Sequence, residues 1–353
     1  MTQPIQVGII FGGKSPEHEV SLASARNVVE AMDRKTYTPV LIGISKEGKW
    51  LLCNTVPETL NGKAHQHIVI LPESNGKILN IETGVTETSL DVAFPVLHGQ
   101  LGEDGTMQGL LKIANIPFVG AGVLGSAVGM DKDVMKRLLR EAGIPVARFL
   151  TVTRETVPTH RKVADTLGTP FFLKPSRLGS SVGIHKVCGE EDFKKGLQEA
   201  FLYDTKVILE EFVQGREIEC SVLGNKNPRA SVLGEIISQH EFYSYQAKYV
   251  DKQGAVLEIP AKLPQGLARD IQNMAIRVFQ TLSCEGLGRV DMFLKENGEI
   301  LVNEINTIPG FTSISMYPKL WEASGISYAS LIDQLIQLAL ERFAQEKTLK
   351  TSY

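Results

Sequence analysis

Residues 7–11 (VGIIF) form an unbroken apolar run that stops at Gly12-Gly13, the mark of a strand buried on both faces and closed by a tight turn. Apolar positions return at helical spacing over residues 20–32. Further apolar runs predict strands at 38–44 and 91–97, and a helix over 105–114. Strands alternating with helices predict a doubly wound α/β unit. Residues 50–89 are rich in Gly, Asn, Pro and Thr and predict only short strands and loops.

Beyond Gly120-Ala121-Gly122 the texture changes. Residues 131–142 read as a charged amphipathic helix closed by Gly143, with Pro145 just beyond. A helix over 154–167, a strand at 171–174, a Gly/Ser-rich loop, a strand at 183–187, a helix over 191–202 and a strand at 206–212 make a compact second unit. From Arg216 onward the strands lengthen and alternate, as in Glu217-Ile-Glu-Cys-Ser-Val, and the chain ends in a helix over 329–343. The expected fold class is thus α/β and α+β in three domains, 1–122, 123–214 and 215–353. That division suits a chain too long for one core.

Composition narrows the partners. The net charge is −3 and no long run carries one sign, so the electrostatic footprint of a nucleic-acid binder is missing. Apolar runs are too short to span a membrane, and the first one comes after no basic residue, unlike a signal peptide. Cys53, Cys188, Cys220 and Cys284 are scattered without metal or redox spacing. They read as buried small apolar side chains in a reducing compartment, which points to the cytoplasm.

Two familiar motifs match in the wrong context. Residues 8–15 (GIIFGGKS) satisfy a phosphate-loop pattern, but Ile9, Ile10 and Phe11 belong inside the strand rather than in a cradle after it. Residues 179–183 (GSSVG) satisfy the pattern of a serine nucleophile elbow, yet Ile184-His185-Lys186-Val187 alternates like a strand instead of starting a helix. The same Gly/Ser-rich loop, entered through Lys174-Pro175-Ser176-Arg177, offers backbone N–H groups, hydroxyls and cations suited to covering a triphosphate. An ordinary hairpin loop is the alternative.

The densest chemistry lies near the end. Residues 289–295 and 300–306 both alternate, and Asn297-Gly298 stands between them as a hairpin turn. A two-residue turn there pairs Glu296 with Glu299 and, counting outward, Asp291 with Glu304 and Arg289 with Asn306. Directly opposed carboxylates repel. Beside an amide oxygen they are also hard ligands of the kind Mg²⁺ accepts. A solvated hairpin face or a proton shared between the carboxylates would equally satisfy the spacing. The next residues, Asn306-Thr-Ile-Pro-Gly310-Phe-Thr-Ser-Ile-Ser315, form a polar loop whose N–H groups could hold an oxyanion or a carboxylate.

Taken together, residues 12–21 (GGKSPEHEVS), 97–106 (LHGQLGEDGT), 130–132 (MDK), 174–183 (KPSRLGSSVG), 245–249 (YQAKY), 288–291 (GRVD) and 303–315 (NEINTIPGFTSIS) resemble the D-alanine–D-alanine ligases of the ATP-grasp superfamily. The resemblance runs in order along nearly the whole chain. It implies an ATP-grasp fold with a Rossmann-like N-terminal domain and an ATP site between the central and C-terminal domains. It also implies that Lys132 and Lys174 hold phosphates, Ser180 and Ser181 close over them, and Glu210 and Glu217 contact adenine and ribose. Glu211, Phe212 and Val213 would run beside the base, with Asn303 in the same site. Asp291, Glu304 and Asn306 match the ligands of two Mg²⁺ ions, which Mn²⁺ can replace.

On the substrate side, Glu17 resembles the residue that holds the amine of the first D-alanine, with His98 beside it. Lys248 resembles the lid lysine that reaches the transferred phosphate. Arg289 and the Gly310 N–H match the oxyanion pair, and Ser313 and Ser315 face the second carboxylate. Tyr249, networked to Ser180 and Glu17, goes with D-alanine rather than D-lactate as second substrate. The implied reaction is ATP-dependent dipeptide formation through a D-alanyl phosphate, for peptidoglycan precursors, by a homodimer. Another ATP-grasp ligase, such as one making a D-alanine–D-lactate product, is the alternative. Leu178, Gln246 and Ile308 depart mildly from the family's pattern, and no expected catalytic residue is missing.

Overall fold

The computed structural model describes residues 3–60, 66–179, 182–238 and 255–350. Strand β1 (Ile5–Gly12) lies between β2 (Tyr37–Ile44) and β7 (Val92–Val96) and is parallel to both. Val7, Ile9, Ile10 and Phe11 have no exposed surface, as expected of a central parallel strand. Gly12 ends the strand at φ +90°, where a Cβ would stand 2.3 Å from the Ile44 carbonyl oxygen. Only glycine fits, and the chain turns there into helix α1 (His18–Ala31).

The Gly-, Asn-, Pro- and Thr-rich stretch after β2 forms β3 (Trp50–Cys53), β4 (Gln66–Ile70), β5 (Lys77–Asn80) and β6 (Thr86–Ser89). These extend the sheet as an antiparallel edge in the order β6-β5-β4-β3-β2-β1-β7. Order reverses at β1. In open α/β sheets that reversal is where a ligand crevice opens at the strands' carboxyl ends. Glu17 comes after β1 and His98 after β7, so both stand at this crevice.

Helices α2 (Thr106–Ile113), α3 (Val123–Met130) and α4 (Lys132–Glu141) lead to the second unit. Asp131 caps α4 by accepting from Val134 N at 3.2 Å. Strands β8 (Phe149–Val152), β9 (Phe171–Pro175), β10 (His185–Val187) and β11 (Val207–Glu211) form a sheet ordered β10-β9-β11-β8. Helices α5 (His160–Leu167) and α6 (Glu190–Tyr203) belong to the same unit. Helix α5 starts later than the pattern predicts. Pro158 disfavours helical backbone before it, residues 153–156 close a turn (Thr156 N to Thr153 O, 3.0 Å), and Thr159 caps the helix instead.

The third sheet is β14-β13-β12-β15-β16, built from β12 (Arg216–Gly224), β13 (Arg229–Ser238), β14 (Ala255–Glu258), β15 (Gly286–Leu294) and β16 (Ile300–Asn306). Ile218, Cys220 and Val222 of β12 and Val290, Met292 and Leu294 of β15 pack with α7 (Gln265–Thr281) and with Met135 and Leu139 of α4. The alternate residues Glu219, Ser221, Arg289 and Asp291 therefore lie on the opposite face. Helix α8 (Met316–Ala323) comes next, and α9 (Tyr328–Glu346) crosses back: Leu331, Ile332, Leu335 and Ile336 join Val7, Phe11, Leu22 and Phe94 in one core. Of the four cysteines, Cys188 is exposed and not buried as expected, because β10 ends just before it; the other three are buried and all are free.

The hairpin turn differs from expectation. Leu294 pairs with Ile300, and Lys295 N donates to Glu299 O at 2.9 Å, so the loop holds three residues rather than two, with Gly298 at φ +84°. That shifts the register by one near the turn. A β-bulge then absorbs Asn303 between Met292↔Val302 and Asp291↔Glu304, and the register shifts back. Asp291 faces Glu304 and Arg289 faces Asn306, as the spacing predicts, but through two displacements that cancel.

Candidate active site

The bulge has a chemical consequence. Val302 and Ile305 are three apart, yet both enter the same core. The intervening Asn303 and Glu304 stay partly open on the other side, facing the second unit. Lys174 Nζ lies 3.4 Å from Asn303 Oδ1, and Lys132 Nζ lies 3.1 Å from Glu304 Oε2. Lys132 stands in the first turn of α4 and also donates to Leu178 O at 2.9 Å, tying the helix to the entrance of the Gly/Ser loop.

Lys174 and Glu210 come from adjacent strands. In the β9–β11 register Lys174 faces Ile208, which puts Glu210 diagonally beside it on the same face. The Glu210 carboxylate carries two ion pairs, one to Lys174 and one to Lys136 at 2.5 Å. Burial would raise the Glu210 carboxyl, but the two ammoniums hold it down to about 2. Burial would lower Lys174, and Glu210 more than offsets that, raising it. Lys136 is pulled down by burial, with Glu210 opposing. Phe172 and Phe212 line the same face with ring centroids 6.0 Å apart. Glu211 turns away: its carboxylate accepts from Arg148 N at 2.7 Å and Arg148 Nε at 2.5 Å, so only its backbone is left for a ligand.

On the hairpin, Arg289 grips both oxygens of Asp291 (Nε–Oδ1 and Nη2–Oδ2, each 2.7 Å) and also lies 2.9 Å from Glu219 on β12. Asp291 and Glu219, opposed in the β12–β15 register, hold the guanidinium charge well above its ordinary range against the cost of burial. Asn306 accepts from Ile308 N at 3.1 Å through Oδ1. Among the described residues no group of three or more His, Cys, Asp or Glu could hold a metal unaided. Asp291, Glu304 and the Asn306 amide do offer hard oxygen donors of the type that binds Mg²⁺ when substrate phosphates complete the shell. The donor set fits.

The loop after the hairpin is stitched to the first unit. Phe311 N donates to Ser24 Oγ at 3.1 Å, Asn27 Nδ2 to Phe311 O at 3.0 Å, and Tyr328 OH to the same carbonyl at 2.6 Å. His98 Nδ1 contacts Ile308 O at 3.0 Å. Ser315 Oγ accepts from Thr312 N at 3.0 Å and sits so close to Gly310 that a Cβ there would meet it at 2.7 Å. Ser313 is exposed on this loop. The Glu17 carboxylate lies beside Gly99 and Gly179: a Cβ on Gly99 would stand 3.3 Å from its Oε2, and one on Gly179 3.9 Å. His98 and Glu103 are buried together, Nδ1 to Oε1 3.9 Å. Burial would lower the His98 imidazole, and Glu103 and Glu17 raise it; burial raises the Glu103 carboxyl.

The structure thus gathers Lys132, Lys174, Glu210, Asn303, Asp291, Glu304, Asn306 and Arg289 where the second and third units meet. Glu17, His98, Gly310 and Ser315 lie where the first and third meet. Glu217 and Val213 lie at the junction of β11 and β12. Ser180, Ser181, Lys248 and Tyr249 lie outside the described residues. Sequence reasoning missed Lys136, Glu103 and Glu219. The only signal for Lys136 was its place one turn after Lys132 on the face that carries Met135 and Leu139.

Two family models match this chain: the N-terminal part of the D-Ala–D-Ala ligases over residues 6–121 and the C-terminal part over 138–337. A relative named D-alanine–D-alanine ligase from Shouchella clausii is 52% identical, covering 98% of each chain. D-alanine–D-alanine ligase A of Escherichia coli is 47% identical over 99% of this chain and all of its own. Among solved structures, the D-alanine–D-alanine ligase from Coxiella burnetii superposes with a TM-score of 0.87 at 38% identity, covering 98% of this chain and 97% of its own. The VanG D-Ala:D-Ser ligase from Enterococcus faecalis gives 0.86 at 37%, covering 96% and 100%.

Proposed function

The chain belongs to the D-alanine–D-alanine ligase family, and from that premise we propose how its residues divide the work. The enzyme uses ATP to condense two D-alanines into D-alanyl-D-alanine, for peptidoglycan precursors, releasing ADP and phosphate. One observation carries the assignment of residues: Asp291 opposite Glu304, paired to Arg289 and Lys132, at the junction that also holds Lys174 and Glu210.

Lys132 and Lys174 bind the phosphates, Glu210 and Glu217 receive adenine and ribose, and the backbone of Glu211, Phe212 and Val213 runs along the base. Asn303 keeps Lys174 in place. Asp291, Glu304 and Asn306 are the residues that would hold two Mg²⁺ ions (or Mn²⁺). Bound there, the ions would draw charge from the transferring phosphoryl group. The first D-alanine offers its ammonium to Glu17 beside His98, and its carboxylate takes the γ-phosphoryl group to become D-alanyl phosphate. The second D-alanine, its carboxylate at Ser313 and Ser315, attacks the acyl carbon through its free amine; the C–O bond to phosphate breaks, phosphate leaves and the new amide nitrogen gives up a proton. Arg289 and the Gly310 N–H stabilise the oxyanion. Ser180, Ser181, Lys248 and Tyr249 close the site and keep water from the acyl phosphate. The protein works as a homodimer in the cytoplasm.

Phosphate release with ATP, Mg²⁺ and D-alanine alone tests the reading, with Asp291→Asn expected to be nearly inactive. No release with D-alanine alone, and release only once D-lactate or D-serine is added, would move the enzyme to a neighbouring specificity. Full activity in Asp291→Asn would sink the metal assignment.

A further inference from the structure

Lys136 pairs with a carboxylate of the proposed nucleotide site, yet it is itself almost wholly buried. Its side chain is 1% exposed, and its ammonium has no partner among the described residues except Glu210 at 2.5 Å. Its neighbours Met135 and Leu139 anchor α4 in the core of the third sheet. Lys174 differs: it shares Glu210 but also reaches Asn303, at the rim shared with Lys132 and Glu304.

We propose that Lys136 is the fixed counter-ion of Glu210, a positioning residue that frees Lys174 to leave Glu210 for the nucleotide phosphates. The inference rests on the reading of Lys174 as a phosphate ligand. A carboxylate as buried as Glu210, 2% exposed, is strongly disfavoured without a cation. With one lysine, ATP would have to break that pair to gain the other end of it. With two, Glu210 keeps Lys136, which cannot follow the ligand, and the cluster presents one surplus positive charge to the phosphates. Glu210 thereby stays ionised and in place, while Lys174 changes partners without leaving a buried charge alone.

The test is direct binding of Mg·ATP to the full-length enzyme in the absence of D-alanine, joined to steady-state KM values for both substrates. In Lys136→Met, Lys174 is held back by Glu210, so Kd for ATP rises roughly ten- to a hundredfold, the worth of one charge-assisted hydrogen bond. KM for D-alanine stays unchanged. A loss confined to packing would raise both and overturn the assignment. The double variant Lys136→Met/Glu210→Gln keeps an acceptor at 210 but no anion to hold Lys174. It should bind ATP about tenfold more tightly than Lys136→Met, within the coupling that contacting residues show. Equal weakness of the two variants would refute the proposal, as would wild-type affinity in Lys136→Met. Should Lys136→Met fail to fold, Lys136→Gln takes its place in the same comparison. A parallel Lys174→Met separates the failures: wild-type affinity there defeats the reading of Lys174 itself.

Discussion

Replacing Glu210 by Gln removes the carboxylate that pairs with two buried ammoniums and leaves the packing almost unchanged in volume. The cost can be approached from two sides. Held at about 2 against an ordinary 4.5, the Glu210 carboxyl is stabilised by its partners; at about 1.4 kcal/mol per unit this is worth about 3–4 kcal/mol. Breaking a buried pair by removing one partner costs about 3–5 kcal/mol in general. The two agree, so urea unfolding of the nucleotide-free variant at pH 7 should show a loss near the lower figure. The pH dependence fixes the sign. In Glu210→Gln, Lys136 loses its ion pair, and burial, which already lowers its pKa in the wild type, lowers it further below the unfolded value. The unfolded chain then binds more protons, and stability rises with pH by up to about 1.4 kcal/mol per unit. The gap to wild type should therefore narrow between pH 7 and 9. Wild-type protein behaves oppositely at the acid end: the contribution of Glu210 is present above about 4.5 and fades as pH falls toward about 2. A loss below about 1 kcal/mol, or a gap that does not narrow at alkaline pH, would refute the account of Glu210 as the anion shared by two buried ammoniums.

Two glycines give sharper, smaller tests. Gly310→Ala places a methyl 2.7 Å from Ser315 Oγ, so Ser315 must move. D-alanine KM for the second site should rise with ATP binding unaffected, and initial rates at varied D-alanine check it. Gly12→Ala requires φ +90° and a contact of 2.3 Å with the Ile44 carbonyl. It should destabilise the first sheet by about 1–3 kcal/mol, seen as a lower melting temperature; an unchanged one would mean that the turn is not needed to aim α1 and Glu17.

Much of this was legible in the chain. The run 7–11 announced a parallel strand because burial on both faces leaves no polar alternation to read. The hairpin pairing at Asp291 and Glu304 was also legible, but for an incomplete reason. Asn297-Gly298 signals a turn without fixing its length, and a bulge has no composition of its own. The trace of the bulge was the spacing of Val302 and Ile305, odd for two residues on one face. Lys136 was illegible for a different reason. A lysine on an amphipathic helix reads as solvated, and its burial depends on β9 and β11, far along the chain. The return of α9 to the first sheet is equally long-range: its apolar stripe says that it is covered, not by what.

The charge pattern explains how one site can be stable both empty and occupied. Each acidic group assigned to metal or base is matched by a cation assigned to phosphate or oxyanion: Glu304 by Lys132, Glu210 by Lys174, Asp291 by Arg289. Unpaired, these partly buried charges would repel or lose hydration. Mg·ATP brings both signs at once, so on the proposed roles it can enter by exchange, with phosphates taking the lysines as metal takes the carboxylates. Glu219 and Lys136 stand behind Arg289 and Glu210 as buried partners. Exchange without a stranded charge needs such residues on both sides of the site. That is why removing the buried partner should weaken nucleotide binding selectively, although the nucleotide never touches it.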